Sequence, residues 1–555
     1  MKTILLTAIN ARYSHSNPAV HYLKSFISDM GHDVRIQDFT TRRPPEEIAN
    51  EIAAQNPDVA GFSVYIWNAD IMRELVTLVR ALCPDTKIVL GGPEVSGDPD
   101  AWLRRHPEID YIVAGPGERG FRHLLENNLN LREKVVHIPN PPFAEIPFPY
   151  SEEDMPKLRR RYIYYESSRG CPFRCTYCIS SRNDQAPDYR AVETVKHELD
   201  RLLSHGPDYI KFVDRTFNSK KSHYREIWKY LIEKYSASST VFHFEIFPAT
   251  LDDADFDILS NCPRGLFQFE IGIQSVNSET IRAVHRTGEW PQIEHAARRL
   301  ISMDLFHVHV DMIVGLPNED MAGTVRSFNM IYGLRADHFQ VGFLKILSGT
   351  EMAENAKDYG MEYTDTPPYQ VTGNRWLSRE NIRLMQGTAD MVDSLYNRGK
   401  FIYALENLED LFPSPFDLYS SLVPPSMPVG REHISMAPEK GAALLLDLAE
   451  KTAPSRLPFF RDCLRWDWCR RSGSGNIPGI LRSGSDKGIR KELYDFISGR
   501  PSGESVLPDD HDFTKGDIKM ASLFRADTEE FRSRYMQAHS TAIFLPGGRV
   551  IFLTT

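Results

Sequence analysis

Over residues 1–135 short continuous apolar runs alternate with amphipathic stretches: KTILLTAI then VHYLKSFISDM, DVRIQDF then EEIANEIAAQ, DVAGFSVYI then IMRELVTLVRAL, KIVLGGPEV then DPDAWLRRH, and YIVAGPGE then FRHLLENNL. A continuous apolar run suits a strand buried on both faces, and apolar positions at helical spacing suit the element that covers it. Five such β-α units predict an α/β domain, a doubly wound parallel sheet of flavodoxin-like or Rossmann-like type. Sheets of this kind bind ligands at the carboxyl ends of their strands. Here those ends lead into Asn10–Asn17, Ser63–Asn68, Gly91–Ser96 and Gly115–Gly120.

Residues 136–160, rich in proline and charge, lack either periodicity and read as a linker. The alternation resumes over 161–355 with RYIYYESSRG, YIKFVDRTF, VFHFEIFPA, LFQFEIGIQS, FHVHVDMIVGLP and FQVGFLKILSG, each followed by a helical stretch. Six units fall short of the eight of a closed barrel, so a partial (β/α)6 TIM-like barrel is expected, with its chemistry at the strand C-termini. Residues 356–555 loosen into helical and aromatic-rich pieces and end in a strand pair turned at Pro546-Gly547-Gly548. This mostly α-helical domain is expected to close the barrel or cover its substrate, with Trp376, Trp466 and Trp468 as packing residues.

With 555 residues, 41% hydrophobic and 25% charged, the chain has the composition of a multidomain globular protein. A formal charge of −10 argues against a dominant nucleic-acid or anionic-membrane surface. No apolar run reaches the ~20 residues that span a bilayer, and the N-terminal TILLTAI is too short for a signal segment. A cytoplasmic protein is expected, whose clustered thiols are metal ligands or catalytic groups before they are disulfides.

Three of the seven cysteines, Cys171, Cys175 and Cys178, form CxxxCxxC directly after the first barrel strand. A structural zinc site normally closes with four protein ligands, and no histidine follows at zinc-finger spacing. A 4Fe-4S cluster held by three cysteines keeps one iron open to a small molecule. Gly170 and Pro172 suit a loop wrapped closely round a metal centre. Zinc held by a non-catalytic interaction protein stays as the rival reading. Cys83, Cys262, Cys463 and Cys469 are scattered and read as buried small apolar side chains.

The motif, with Tyr177 before its last cysteine, resembles that of the radical S-adenosylmethionine (radical SAM) enzymes, and the resemblance runs in order over roughly residues 160–350. It implies that the open iron binds S-adenosylmethionine, that an electron delivered through the cluster from an external reductant such as flavodoxin or ferredoxin cleaves it, and that a 5'-deoxyadenosyl radical results. Similarity to the branch containing oxygen-independent coproporphyrinogen oxidase carries further roles across. Asp214, in the turn DRTFN, stands where that branch has a glycine-rich contact to the methionine amino group, from which this turn departs. Glu245 in HFEIFPA resembles the acidic residue of the third strand, Gln274 in IGIQS the ribose contact of the fourth, and Arg286 in HRTG the carboxylate partner. Asp311 in DMIVGLPNE resembles the acidic residue near the ribose, and Ile313 to Pro317 the adenine-side turn.

A doubly wound domain ahead of such a barrel is similar to that of the cobalamin-binding radical SAM enzymes. Matching features are the strand end Ser63-Val64-Tyr65, the turn Gly91-Gly92-Pro93-Glu94 and the turn Gly115-Pro116-Gly117-Glu118. Small residues there let a corrin's nucleotide tail approach the backbone. The DxHxxG signature is absent; His15 lies on the loop that would face the corrin and is a candidate cobalt ligand or corrin-edge contact. The resemblance implies methyl transfer to an unactivated carbon of a small-molecule or peptide substrate. Other radical chemistry, with a first domain that binds no corrin, is the alternative. A methylthiotransferase is disfavoured because the first domain holds only Cys83, too few for a second cluster.

Overall fold

A computed structural model describes residues 1–182, 186–424, 436–471, 477–484, 488–489, 491, 521–537, 539, 541–545 and 550–553. They form two compact units, Met1–Ala336 with Val341–Ile382, and Asp337–Gln340 with Arg383–Thr555.

The first unit opens with strands β1 (Thr3–Asn10), β2 (Asp33–Thr40), β3 (Val59–Ser63), β4 (Lys87–Gly91), β5 (Tyr111–Val113) and β6 (Val135–Val136), all parallel, in the order β2-β1-β3-β4-β5-β6. Alternate residues of one strand serve opposite cores. Leu5 and Ile9 pack with Ile48, Met72 and Leu75, whereas Ile4, Leu6 and Ala8 pack with Val20, Phe121 and Leu124. That double burial is why the strands read as unbroken apolar runs, each buried aliphatic side chain contributing ~1.5–3 kcal/mol. Five strands match the five predicted units; β6 is an addition of two residues too short to leave a pattern.

The segment after β6 is no free tether. Phe143, Ile146, Tyr150, Met155 and Leu158 are each buried to 2% exposure or less, and the helical pieces of the segment, Phe143–Glu145 and Met155–Leu158, are about one turn each, too short to leave a period. β7 (Ile163–Tyr165) then begins the barrel sheet, and a short antiparallel ladder, β8 (Ser168–Arg169) with β9 (Asp188–Tyr189), follows. The sheet continues through β10 (Tyr209–Phe212), β11 (Val241–Ile246), β12 (Phe267–Gln274), β13 (His307–Val314) and β14 (His338–Phe343), in the sequential order β14-β13-β12-β11-β10-β7. This is the partial barrel expected from six units. Along β12 the apolar Phe267, Phe269, Ile271 and Ile273 are buried while Gln268, Glu270, Gly272 and Gln274 alternate with them on the other, partly open face. A two-stranded ladder of β15 (Glu362–Tyr363) and β16 (Val371–Gly373) follows.

The free edge of β7 is met by the loop after β1. Tyr162 donates its N–H to Ser14 O at 2.7 Å, Ser16 Oγ donates to Tyr162 O at 2.7 Å, and His15 and Tyr162 form a parallel bridge.

From Arg383 on, the described residues of the second unit are helices and connecting loops, with one antiparallel sheet of β17 (Ser522–Arg525), β18 (Thr541–Phe544) and β19 (Val550–Leu553). β18 and β19 are the expected hairpin strands; the turn residues Pro546–Gly548 lie outside the described residues. Trp466 packs at 4.8–5.6 Å from Phe524, Phe531 and Phe544, a core position. Cys463 and Cys469 are buried in the helix Leu457–Arg471, as small apolar side chains should be. Trp376, in the first unit, packs tilted against Tyr359 at 5.9 Å.

Candidate functional site

Two clamps present the cysteine loop. Asp214, at the end of β10, accepts from Ser167 N at 3.0 Å, Ser167 Oγ at 2.6 Å and Ser168 Oγ at 2.5 Å, so its carboxylate is spent on the approach to the cysteines. Burial pushes its pKa up to about 6 against those hydrogen bonds. On the other side Thr176 N donates to Val284 O at 3.1 Å and Met352 N to Thr176 O at 2.9 Å. Gly170 has φ +92°, and a Cβ there would lie 3.2 Å from Pro187 Cα, which explains glycine at the loop entrance.

Cys175 is buried; Cys171 and Cys178 are partly exposed. Cys171 Sγ lies 3.5 Å from Thr216 Oγ1, and Arg286 Nη1 donates to Cys175 Sγ at 3.7 Å. Burial holds the Cys175 thiol above its ordinary pKa against the pull of Arg286. Tyr177 packs against an apolar cluster that includes Val284, Leu316, Leu344 and Val371. Among the described residues no three His, Cys, Asp or Glu side chains group closely enough to hold a single metal ion. A structural zinc site normally closes with four protein ligands, whereas in a polynuclear cluster three thiols each take a different iron and leave one iron open.

Beside Cys175 the barrel sheet breaks its regularity. The register between β12 and β13 shifts between Gly272 and Gln274, and Gln274 takes φ +75°, a left-handed conformation that costs a side-chain-bearing residue ~1–2 kcal/mol. Arg286 donates Nη2 to Gly272 O and lies over the Phe247 ring at 5.2 Å. A Cβ on Gly272 would fall 2.3 Å from Gln274 Nε2 and 3.4 Å from Arg286 Nη2. Gln274 Oε1 and Arg286 Nε are buried yet have no hydrogen-bond partner. A strained strand end with a buried acceptor and donor unused, next to a cysteine loop, has the features of a polar ligand site. Of the predicted residues, Cys175, Gln274 and Arg286 are thus brought together.

Glu245 and Asp311 stand on the same face, Glu245 in register with Glu270 and Asp311 with Gly272 itself, and both join a charged layer. Lys211 Nζ lies 3.0 Å from Glu270 and 3.5 Å from Glu245; His243 Nε2 is 3.0 Å from Glu270, and His309 Nε2 is 2.9 Å from Asp311 Oδ1. Burial, reinforced by Glu270, raises both the Glu245 and the Asp311 pKa. Glu270 resists the same burial through His243 and Lys211 and is lowered. Lys211 and Glu270 were not among the sequence candidates, although the period-two alternation of YIKF and FQFEIGIQ puts them on the face of Glu245 and Gln274.

In the first domain the candidate side chains are largely engaged. His15 Nδ1 is 2.5 Å from Tyr164 Oη of β7, and burial, with Arg12 and Lys211, lowers its pKa. Ser63 Oγ accepts from Asn17 Nδ2 at 2.9 Å. Tyr65 stacks on Trp67 at 4.4 Å, and burial raises its pKa to about 12. The backbone turns are tight: Gly92 has φ +107°, with room for a Cβ only 2.5 Å from Val64 O, and Gly115 has φ +81°. Gly91 O accepts from Val64 N at 2.8 Å, and a Cβ on Gly117 would meet Leu23 Cδ2 at 3.4 Å. Glu94 accepts from Tyr369 Oη, and Glu118 accepts from Arg169 Nη1 at 2.7 Å and from Asn140 Nδ2. Burial opposes ionisation of Glu118, but Arg169 and Asn140 prevail and its pKa is lowered.

Family models match three stretches: a B12 binding domain over residues 4–125, the radical SAM superfamily over 165–331, and a protein family of unknown function, DUF4080, over 357–544. The chain is 24% identical over 315 residues to the cobalamin-dependent radical SAM methyltransferase TokK of Streptomyces tokunonensis, covering 51% of this chain and 45% of TokK. The match therefore spans less than half of that relative. Its fold is similar to that of the cobalamin-dependent S-adenosylmethionine radical enzyme OxsB (TM-score 0.61, 15% identity, 90% of this chain and 84% of that one). It is also similar to that of the radical S-adenosylmethionine methyltransferase TsrM of Kitasatospora setae (TM-score 0.54, 18% identity, 67% and 82%). No described helix is long and apolar enough to cross a membrane.

Proposed function

We propose that this chain, which belongs to the radical SAM enzymes that carry a B12-binding domain, is a cobalamin-dependent enzyme that transfers a methyl group to an unactivated carbon. The observation that carries the barrel half of this reading is the group Cys175, Gly272, Gln274 and Arg286, with its strained backbone and its unused buried donor and acceptor. When bound, the cluster and S-adenosylmethionine supply radical generation and cobalamin supplies methyl carriage.

The chain's own part is to hold and orient. Cys171, Cys175 and Cys178 are assigned as the cluster thiolates. Arg286, already desolvated, offers its guanidinium to the amino-acid carboxylate of S-adenosylmethionine. Gln274 offers its unpaired amide oxygen to a ribose hydroxyl. Asp311 and Glu245 accept from the polar edge that faces the charged layer. Asp214 serves as the anchor of the cysteine loop. In the first domain Ser63, Tyr65 and the tight turns at Gly91, Gly92, Gly115 and Gly117 form the strand ends assigned to a corrin's nucleotide tail. An external reductant supplies the electron.

A second reading, radical chemistry of another type with a first domain that serves as a scaffold, draws support from one observation. His15, Glu94 and Glu118 each commit a polar atom to a residue outside the first domain's crevice. One experiment separates the two. Protein prepared anaerobically with iron and cobalamin supply is assayed for iron, sulfide and corrin, and for 5'-deoxyadenosine after adding reductant and S-adenosylmethionine. Cluster, corrin and nucleoside together support the methyltransferase reading. Cluster and nucleoside without corrin favour the scaffold reading, and zinc without sulfide overturns both.

A further inference from the structure

We infer that Arg169 is a positioning residue through which the first domain holds the cysteine loop, with Glu118 as its partner. The inference rests on the proposed role of that loop as the cluster site.

Arg169 stands two residues before Cys171. Its guanidinium is held from three parts of the chain. Nη1 donates to Glu118 at 2.7 Å, in the first turn of the helix Gly117–Glu126 of the first domain. Nε and Nη2 donate to Glu166 Oε2 of the barrel at 3.0 and 2.8 Å. The rings of Tyr22, from the first domain, and Phe143, from the connecting segment, each lie 4.7 Å from its charged carbon.

Glu118 is fixed in turn. Its carboxylate is buried and accepts from Asn140 Nδ2, while Asn140 Oδ1 accepts from Arg119 N at 3.1 Å. The backbone of Arg169 is fixed as well. It pairs with Asp188 in the β8–β9 ladder, and the Asp188 carboxylate accepts from Phe143 N at 2.6 Å. The next residue, Gly170, is wedged against Pro187. Side chain and main chain are therefore both set immediately before the first cysteine, and the direction in which Cys171 leaves the ladder follows from them.

The pattern needs an arginine. A planar fork can donate to two carboxylates and still lie flat between two rings, whereas a lysine ammonium offers one point charge. A generic interdomain ion pair has no such demand. Asp38 and Arg161 form one at 2.9 Å on the first domain's β2 side, eight residues or more from every cysteine of the loop.

The test uses the full chain in three variants: Glu118→Gln, Arg169→Lys and, as the comparison, Asp38→Asn. In cluster-free protein, amide hydrogen exchange is followed in the peptide Glu166–Cys178 and in a peptide from β12. After anaerobic loading with iron and sulfide, bound iron and the low-temperature paramagnetic resonance spectrum of the reduced cluster are recorded. Glu118→Gln and Arg169→Lys are expected to speed exchange in Glu166–Cys178 by about tenfold, as loss of one charge-assisted hydrogen bond predicts, with β12 unchanged. They should also alter the resonance line shape and lower bound iron; Asp38→Asn should do none of this. Wild-type exchange and spectra in both loop variants overturn the inference, as do equal effects from Asp38→Asn or loss of soluble protein in both loop variants. If the wild-type protein takes up no cluster, the proposed function fails, and the exchange comparison still decides whether Arg169 positions the loop.

Discussion

Replacing Gly272 with alanine places one methyl group where the candidate ligand contacts meet. The new Cβ would lie 2.3 Å from Gln274 Nε2 and 3.4 Å from Arg286 Nη2. The first distance is impossible for real atoms, so the amide must swing away. Gln274 Nε2 is the far end of a flexible side chain and can turn aside in the free protein, so the strain is felt when a bound ligand holds the amide in place. Overpacking of this kind costs roughly 1–3 kcal/mol. A displaced amide also forfeits one neutral hydrogen bond to the ligand, about 0.5–1.5 kcal/mol. If half of the strain appears only when the ligand holds Gln274 in place, S-adenosylmethionine affinity falls by about 1–3 kcal/mol, or roughly 5- to 150-fold. The assay is equilibrium binding of S-adenosylmethionine to cluster-loaded protein, with bound iron as the control. Iron content should stay at the wild-type level, because Gly272 bears on Arg286 and Gln274 rather than on a thiol. Affinity within about twofold of wild type would refute the placement of the ligand at Gln274 and Arg286.

Three further expectations follow from other parts of the molecule. Cys175→Ala should abolish bound iron and sulfide while the circular dichroism of the protein is retained, and retention of a full cluster would remove Cys175 from the ligand set. Gly92→Ala, with φ +107° and Val64 O 2.5 Å from the new Cβ, should lower corrin uptake measured by absorbance without lowering bound iron. In the second unit Asp467 is fully buried, accepts from Tyr403 N and Ala404 N, and has its pKa pushed up to about 7 by that burial, from 3.8. Because the folded-state value is the higher one, the unfolded chain loses this proton first. Stability should therefore fall as pH rises from about 4 to about 7, by on the order of 4 kcal/mol. Urea unfolding followed by tryptophan fluorescence at pH 5 and pH 7.5 should show that slope in the wild type and not in Asp467→Asn; equal slopes would contradict it.

What the sequence made legible is what depends on local period and spacing. Double burial leaves apolar runs, so the strands β1 to β5 and the six barrel strands could be read directly, as could the cysteine loop from its spacing. Contacts between side chains distant in sequence leave no such trace. Asp214 is identifiable as a strand-end acid, but its use by Ser167 and Ser168 depends on β7 and β10 being neighbours. Glu118 reads as a crevice residue because it follows Gly115-Pro116-Gly117, yet its carboxylate serves Arg169, 51 positions away. The segment 136–160 shows the same limit. Its helical pieces, Phe143–Glu145 and Met155–Leu158, are about one turn each, too short to show a period, so its sequence resembles a tether.

The meeting of β7 with the loop after β1 bears on how this protein can be divided for study. A fragment starting at Arg161 would keep every barrel strand but lose Ser14, the acceptor for Tyr162 N, and Ser16, the donor to Tyr162 O. It would present a three-residue edge strand with Tyr162 before it and Tyr164 at its centre, whose aromatic surface His15 covers in the intact chain. Unpaired, partly apolar edges promote intermolecular strand pairing. The barrel is thus tied to its N-terminal neighbour for solubility, and a fragment made for study should carry both domains.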